Sequence, residues 1–455
     1  MESRLLQYQK ILKREQKLFE ASEQLYQCYR EPKDVVSITA IYVMAPVMYQ
    51  FVDWVLNNAI AAGHKRLYFL ARDGYSMYHM AKILCEKRKL PIDCRYLYCS
   101  RYALRTAQYH LLGEESLDYI CLGGIEVTIW KVMRRSGLIQ EECQMMLQRM
   151  GRVNRSKEVL SYSELADIKK MLALDGEFMD LVYKRSKERY SLVCGYLEQE
   201  GLLEPMTVAL VDSGWTGSIQ KSVRQLIASR GIKAEVEGYY FGLYEYSPDV
   251  EIDTYHTFYF NPVMGLRHKV YFSNSLFECI YSSPEGMTVG YVLHDKQYYP
   301  VLEKEKNPNS DKIEKTTDIL CRYAYLLADS GSSYDCFYNC VDKTDYTVYR
   351  LLYYFMGRPG LEEAAAFGSY IFCDDVIDEH QQTVAANLSF REIQDNWLLN
   401  KSIRYFKKEQ IVRESAWMEG SVVLARRNGW FWLWHSALYK YVLYLRKRVT
   451  REKVS

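Results

Sequence analysis

The chain contains no CxxC pair, no Cys/His cluster and no Walker A, GxSxG or HExxH pattern. These absences exclude zinc modules, P-loop nucleotide hydrolysis, nucleophile-elbow esterases and zincin proteases. Net charge is nearly absent too: 59 basic against 57 acidic side chains leave +2. No overall basic field draws the molecule to nucleic acid, so any polyanion site must be local. The longest apolar stretch, Trp430 to Leu445, is interrupted by His435, Ser436 and Lys440. It falls short of the roughly 20 residues that cross a bilayer, and no span is predicted. The opening MESRLLQYQKILKREQKLFEASEQLYQ alternates charged and apolar residues without a secretory apolar core. With twelve unpatterned cysteines, this predicts a reduced, cytoplasmic protein. Cys336 and Cys340 are helically spaced with no histidine nearby, which argues against a metal there.

What is present is an α/β rhythm, in a chain of 455 residues that is 49% hydrophobic. Residues 1–30 read as an exposed amphipathic helix, and a second helix runs from Pro46 to Gly63. The period then changes: Leu67 to Ala71 is strand-like, Ser76 to Lys87 helical, and Arg95 to Cys99 strand-like again. Residues 102–206 carry successive helical patterns with little strand signal, a helical insertion. The rhythm resumes with Thr207 to Val211, the turn DSGWTGS, a helix bearing Ile219, Val223, Leu226 and Ile227, and the strand Val236 to Leu243. Such alternation predicts a doubly wound, mostly parallel sheet. The boundaries follow: an N-terminal helical segment 1–45; an α/β core 46–245 holding the insertion; a mixed, tyrosine-rich segment 246–310 completing it; and a helical region 311–455.

Charge is segregated in that last region. Residues 401–455 hold 13 Lys/Arg and 4 Asp/Glu, a net of +9, so the first 400 residues carry 2 − 9 = −7. Trp430, Phe431, Trp432, Trp434, Tyr439, Tyr441 and Tyr444 precede Arg446, Lys447 and Arg448. That combination fits a helix lying in a membrane interface, or a last core helix with a solvated basic end.

In open α/β sheets ligands bind beyond the carboxyl ends of the strands, near helix N-termini that favour anions. Two strand-to-helix turns there each place an acid, then a glycine, before a helix. In Asp212-Ser213-Gly214-Trp215-Thr216-Gly217-Ser218, Asp212 can accept hydrogen bonds from sugar hydroxyls while Thr216, Gly217 and Ser218 wrap a phosphate; Gly214 and Gly217 permit close approach. In Ala71-Arg72-Asp73-Gly74, Arg72 offers a fork to phosphate oxygens, Gly74 admits ligand to the main chain and Asp73 can hold Mg²⁺ or orient an arginine. Ser100, Arg101 and Arg105 add a hydroxyl and two cations at the same edge. A phosphorylated-sugar site is the expectation.

The order of strand, RDG, helix, strand, SR and VALVDSGWTGSI resembles a type I phosphoribosyltransferase core. Over residues 40–300, YFLARDGYSMYHMAKIL, RYLYCSRYALR, VDSGWTGSIQKSV and LFECIYSSPEGMTVGY resemble proteins of bacterial polysaccharide gene clusters often labelled predicted hydrolases of the haloacid dehalogenase superfamily. In that group a phosphoribosyltransferase-like glycosyltransferase is frequently joined to a phosphatase. The resemblance implies a sheet of phosphoribosyltransferase type and transfer of 5-phosphoribosyl from phosphoribosyl pyrophosphate to a hydroxyl of a lipid-linked surface glycan. Ser213 stands where the second acid of the ribose-binding pair is usual, and the turn is short, which argues against a nucleobase acceptor. Asp212-Ser213-Gly214 and Asp73-Gly74-Tyr75 both lack the second acid of a haloacid dehalogenase nucleophile motif, so a separate phosphatase is implied.

Mg²⁺ would neutralise the leaving pyrophosphate, with inversion at the anomeric carbon. A carboxylate near His256, Arg267, His268 and Lys269, either Glu278 or Glu285, can deprotonate the acceptor, and Glu278 is the candidate base. The alternatives are a sugar phosphatase of haloacid dehalogenase type and a non-catalytic sugar-phosphate-binding scaffold. The expected place is the cytoplasm, with peripheral contact on the inner face of the membrane through the C-terminal tail, and the insertion is expected to face the acceptor.

Overall fold

The structure, a computed structural model, describes residues 1–30, 33–124, 127–328, 345–372, 382–397, 400, 414–425 and 429–452. Cys336, Cys340 and residues 401–413 of the basic segment lie outside the described residues. Five strands, β1 (Arg66–Leu70), β2 (Asp93–Leu97), β3 (Val208–Trp215), β4 (Val236–Leu243) and β5 (Tyr255–Phe260), form one sheet in the order β2-β1-β3-β4-β5. Every neighbouring pair is parallel. The chain leaves β1 toward β2 on one side and enters β3 on the other, so the topological switch point lies between β1 and β3.

Parallel strands buried on both faces need continuous apolar runs, and β1 supplies one. Leu67 and Phe69 point to one face, where the helices Val35–Ala61, Gly74–Arg88, Asn274–Tyr281 and Ser310–Leu327 pack with Val211, Tyr239 and Phe241. Tyr68 and Leu70 point to the other, under Leu104, Val193, Leu197, Val223 and Leu226. Among the described residues the regular elements between β2 and β3 are all helical, and Tyr109, Val132, Met146, Leu172 and Val182 there form a core of their own. A hairpin of β6 (Thr288–His294) and β7 (Gln297–Leu302) follows the sheet, and helices dominate the rest.

Two expectations about the N-terminal region are corrected. Residues 1–30 form two helices, Glu2–Leu12 and Gln16–Cys28, that bury Tyr8, Ile11, Leu12, Leu18 and Leu25 instead of standing exposed. Their partner is distant in sequence: Tyr323, on Ser310–Leu327, donates to the Leu18 carbonyl at 2.9 Å. The second helix begins at Val35, not Pro46, capped by Asp34, which accepts from the Ser37 N–H at 2.8 Å. A π-register turn, Ala40–Met44, carries it into Ala45–Ala61. This Val35–Ala61 helix, not Trp430 to Leu445, is the one long and apolar enough to cross a membrane among the described residues; 89% of its most apolar window is buried inside the fold.

Candidate active site

Asp73 follows β1, Asp212 lies within β3, and Glu278 sits on the helix Asn274–Tyr281. Their carboxyls act on one another across these separations: Asp73 and Glu278 both raise Asp212, and Asp73 raises Glu278. They meet at the carboxyl edge of the sheet beside the switch point, where a ligand crevice is expected.

Each is fixed by local geometry. Gly74 opens the helix Gly74–Arg88, and a Cβ there would stand 2.9 Å from the Phe69 carbonyl carbon. Gly74 therefore serves close packing of helix on strand, which sets Asp73 against its neighbours. Asp73 Oδ2 accepts the Ser213 hydroxyl. β3 does not turn at Asp212 as predicted; pairing continues through Asp212–Tyr240, Gly214–Gly242 and Trp215–Leu243, because β4 runs equally far. Gly214, at φ +108°, lets that ladder close: a Cβ would lie 2.6 Å from the Gly242 carbonyl oxygen. Trp215 adopts φ +63°, a conformation side chains rarely take, held by Phe272 and Phe277 and by donation from its Nε1 to Glu278 Oε1 at 2.5 Å. Trp215 is the functional candidate that sequence reasoning passed over, although it stands inside the motif.

The electrostatics follow from burial and like charge. Burial, then Asp73, pushes Asp212 up to about 8, against the Ser213 N–H and Arg101. Burial, then Asp73, lifts Glu278 to about 7, against Arg101, the Trp215 indole and Arg72. Asp73 is raised by burial, with Ser213, Arg72 and Arg101 opposing. All three carboxyls are raised above the ordinary carboxylate range, by burial first, while Arg72 and Arg101 oppose the shift, a combination suited to proton transfer and to an incoming cation or anion.

Other predicted residues take different work. Ser100 caps the helix Arg101–Thr106, accepting from the Ala103 N–H at 2.9 Å and donating to the Thr288 carbonyl at 2.7 Å. Arg105 lies 4.2 Å over the Tyr119 ring, toward the insertion. The Thr216 and Gly217 N–H groups bond to the Gly214 carbonyl at 2.9 and 3.4 Å, so the N–H groups this turn could offer to an anion are the first amides of the helix Ser218–Ser229. His256 bonds to Glu237 at 2.9 Å near the amino ends of the strands, His268 packs on Tyr259, and Lys269 donates to the Pro262 carbonyl at 3.0 Å. Glu285 accepts from Tyr98, and Tyr98 lines, with Tyr75, Tyr78, Tyr96 and Arg95 among others, a cleft of about 560 Å³ along β2.

Among the described residues no three His, Cys, Asp or Glu side chains form a metal-ligand cluster. Mg²⁺ asks for less, taking one or two carboxylates with waters and substrate phosphates; the oxygen donors of Asp73 and its acidic neighbours fit it.

Gly74→Ala tests the packing role of this glycine. The added methyl must move the helix off β1, so stability should fall by about 1–3 kcal/mol. Ligand binding should weaken with it, because Asp73 rides on the displaced turn. Unchanged urea unfolding would contradict the packing role. No protein-family model matches the chain, and no curated protein matches it.

Proposed function

We propose that this protein transfers 5-phosphoribosyl from phosphoribosyl pyrophosphate to a hydroxyl of a glycan, with inversion. The observation that carries the reading is the convergence of Asp73, Asp212 and Glu278 with Arg72 and Arg101 at the switch point of the sheet. Asp212 accepts hydrogen bonds from the ribose hydroxyls and faces the anomeric carbon as positive charge develops there. The helix Ser218–Ser229 presents its first amides to the 5-phosphate. Arg72 and Arg101 neutralise the pyrophosphate. Mg²⁺, held by Asp73, supplies Lewis-acid stabilisation of the leaving group when bound. Glu278, oriented by the Trp215 indole, removes the acceptor proton. The acceptor sugars are assigned to the cleft beside Tyr75 and Tyr98, next to the turn that carries Asp73, instead of the helical insertion alone.

Labelled phosphoribosyl pyrophosphate, Mg²⁺ and lipid-linked acceptors test this directly: label should enter the acceptor. Phosphate release from phosphosugars alone would point to a phosphatase, and donor binding without turnover to a scaffold. The pH profile gives a second test. A base raised to about 7 works only when ionised, so kcat/KM should fall about tenfold per pH unit below that value. Glu278→Gln should lower activity by about 10²–10⁴-fold and remove that limb. An unchanged limb in the variant would assign the base elsewhere.

A further inference from the structure

The last helix, Gly429–Glu452, has two apolar faces. One packs on the protein: Trp432, Leu433 and Ala437 are buried, and Ser436 and Lys440 bond to Glu419 at 2.9 and 2.8 Å. Either expectation drawn from sequence, core helix or interfacial helix, described only one of these faces. The other bears Trp430, Phe431, Trp434, Leu438, Val442 and Leu445, all exposed, from 38% at Leu438 to 75% at Trp430. At 3.6 residues per turn these six fall within about 120° of arc. A soluble helix needs one such stripe, toward its core.

We propose that this second stripe seats the protein on an anionic lipid surface. Trp, Phe and Leu on one face of a helix flanked by basic residues are the chemistry of interfacial helices, whose rings settle at headgroup depth. The charge agrees. Arg426 and Arg427 precede the helix in sequence, Arg446, Lys447, Arg448 and Arg451 close it, and the net +9 of residues 401–455 contrasts with −7 before them. Two copies pairing through the stripe would bring two such cationic segments together, which Coulomb repulsion opposes.

The helix is also tied to the candidate site. Tyr444 stacks on Tyr244 with centroids 5.6 Å apart, and Lys447 pairs with Glu245 at 2.7 Å, just beyond β4. The Tyr244 N–H bonds to the Trp215 carbonyl at 2.8 Å, and the Trp215 indole holds Glu278. A helix lying on the membrane therefore anchors the carboxyl edge of the sheet close to the surface. This deepens the transferase reading, since an acceptor carried on a lipid would be met there, but lipid binding itself requires no transferase chemistry.

Flotation of the full chain with vesicles of phosphatidylcholine containing phosphatidylglycerol, against phosphatidylcholine alone, is the test. Wild type should float with the anionic vesicles at least about tenfold better, and lose that preference as salt rises. Trp430→Ser combined with Trp434→Ser, both at exposed positions, should weaken flotation at least tenfold without changing the melting temperature; Val442→Glu gives a second reading on the same arc. Asp212→Asn should float as wild type does, so a failed transferase assay would leave this inference standing. Wild type remaining unbound, or the double variant floating equally well, would overturn it. So would a wild-type dimer, by light scattering, that the double variant splits.

Discussion

Asp212→Asn should lower kcat/KM about ten- to more than a hundred-fold and at the same time raise the stability of the fold. Above about pH 8, where Asp212 is ionised, the lost activity follows from removing a charge-assisted contact to the ribose and the anomeric centre, worth about 1.5–3 kcal/mol. The gained stability follows from the environment: Asp212 is half-buried within β3, and both Asp73 and Glu278 push against its ionised form. Removing such a group commonly contributes about 0.5–2 kcal/mol.

The sign of the pH dependence is set by the same facts. Unfolded Asp212 ionises in the ordinary carboxylate range, whereas the folded residue is pushed up to about 8. Between those values the folded state binds the extra proton, so stability declines as pH rises through the interval. In urea titrations at pH 5 and pH 8, wild type should lose more stability than the variant. Equal losses would remove Asp212 from the coupled group, and unchanged affinity for ribose 5-phosphate would remove it from the donor site.

The second large effect concerns the fold. Arg88, at the far end of the helix that begins beside Asp73, pairs with the fully buried Asp53 and donates to the Tyr49 hydroxyl at 2.7 Å and the Ala328 carbonyl at 3.0 Å. It ties Val35–Ala61, Gly74–Arg88 and Ser310–Leu327 into one layer. Asp53→Asn leaves a guanidinium without its counter-charge and should cost about 3–5 kcal/mol, read as a lower urea midpoint. Asp53→Leu combined with Arg88→Met should recover most of that loss, because no charge is then stranded. Recovery should stop short of completion, since the Tyr49 hydroxyl and the Ala328 carbonyl lose a donor. A double variant as unstable as Asp53→Asn would show that the hydrogen bonds, not the ion pair, carry the layer.

How much of this was legible beforehand depends on the range of the signal. The run Leu67 to Leu70 and the helical spacing of Met77, Met80, Ala81 and Leu84 mark a strand and a helix because period 2 or 3.6 is a property of neighbouring residues. The acids at 73 and 212 could be placed at one edge for the same reason: each directly follows or ends a readable strand. Glu278 is different. Its local pattern, Leu276, Phe277 and Ile280, is that of any amphipathic turn, and only the folded chain brings it to Trp215, 63 residues away in sequence.

The sequence alone determined the parallel α/β rhythm, the helical stretch between β2 and β3, the two acidic turns and the basic, aromatic character of the C-terminus, since local periodicity and composition suffice for each. The tertiary structure decided which partners those elements meet. β3 runs on to Trp215 because β4 lies alongside. Ser100 and Arg105 are drawn to Thr288 and Tyr119, and the last helix buries one apolar face while leaving another in the open. An amphipathic helix can be read from its own residues, but burial is a relation between surfaces, and the surface opposite can lie hundreds of residues along the chain, as Tyr323 does from Leu18.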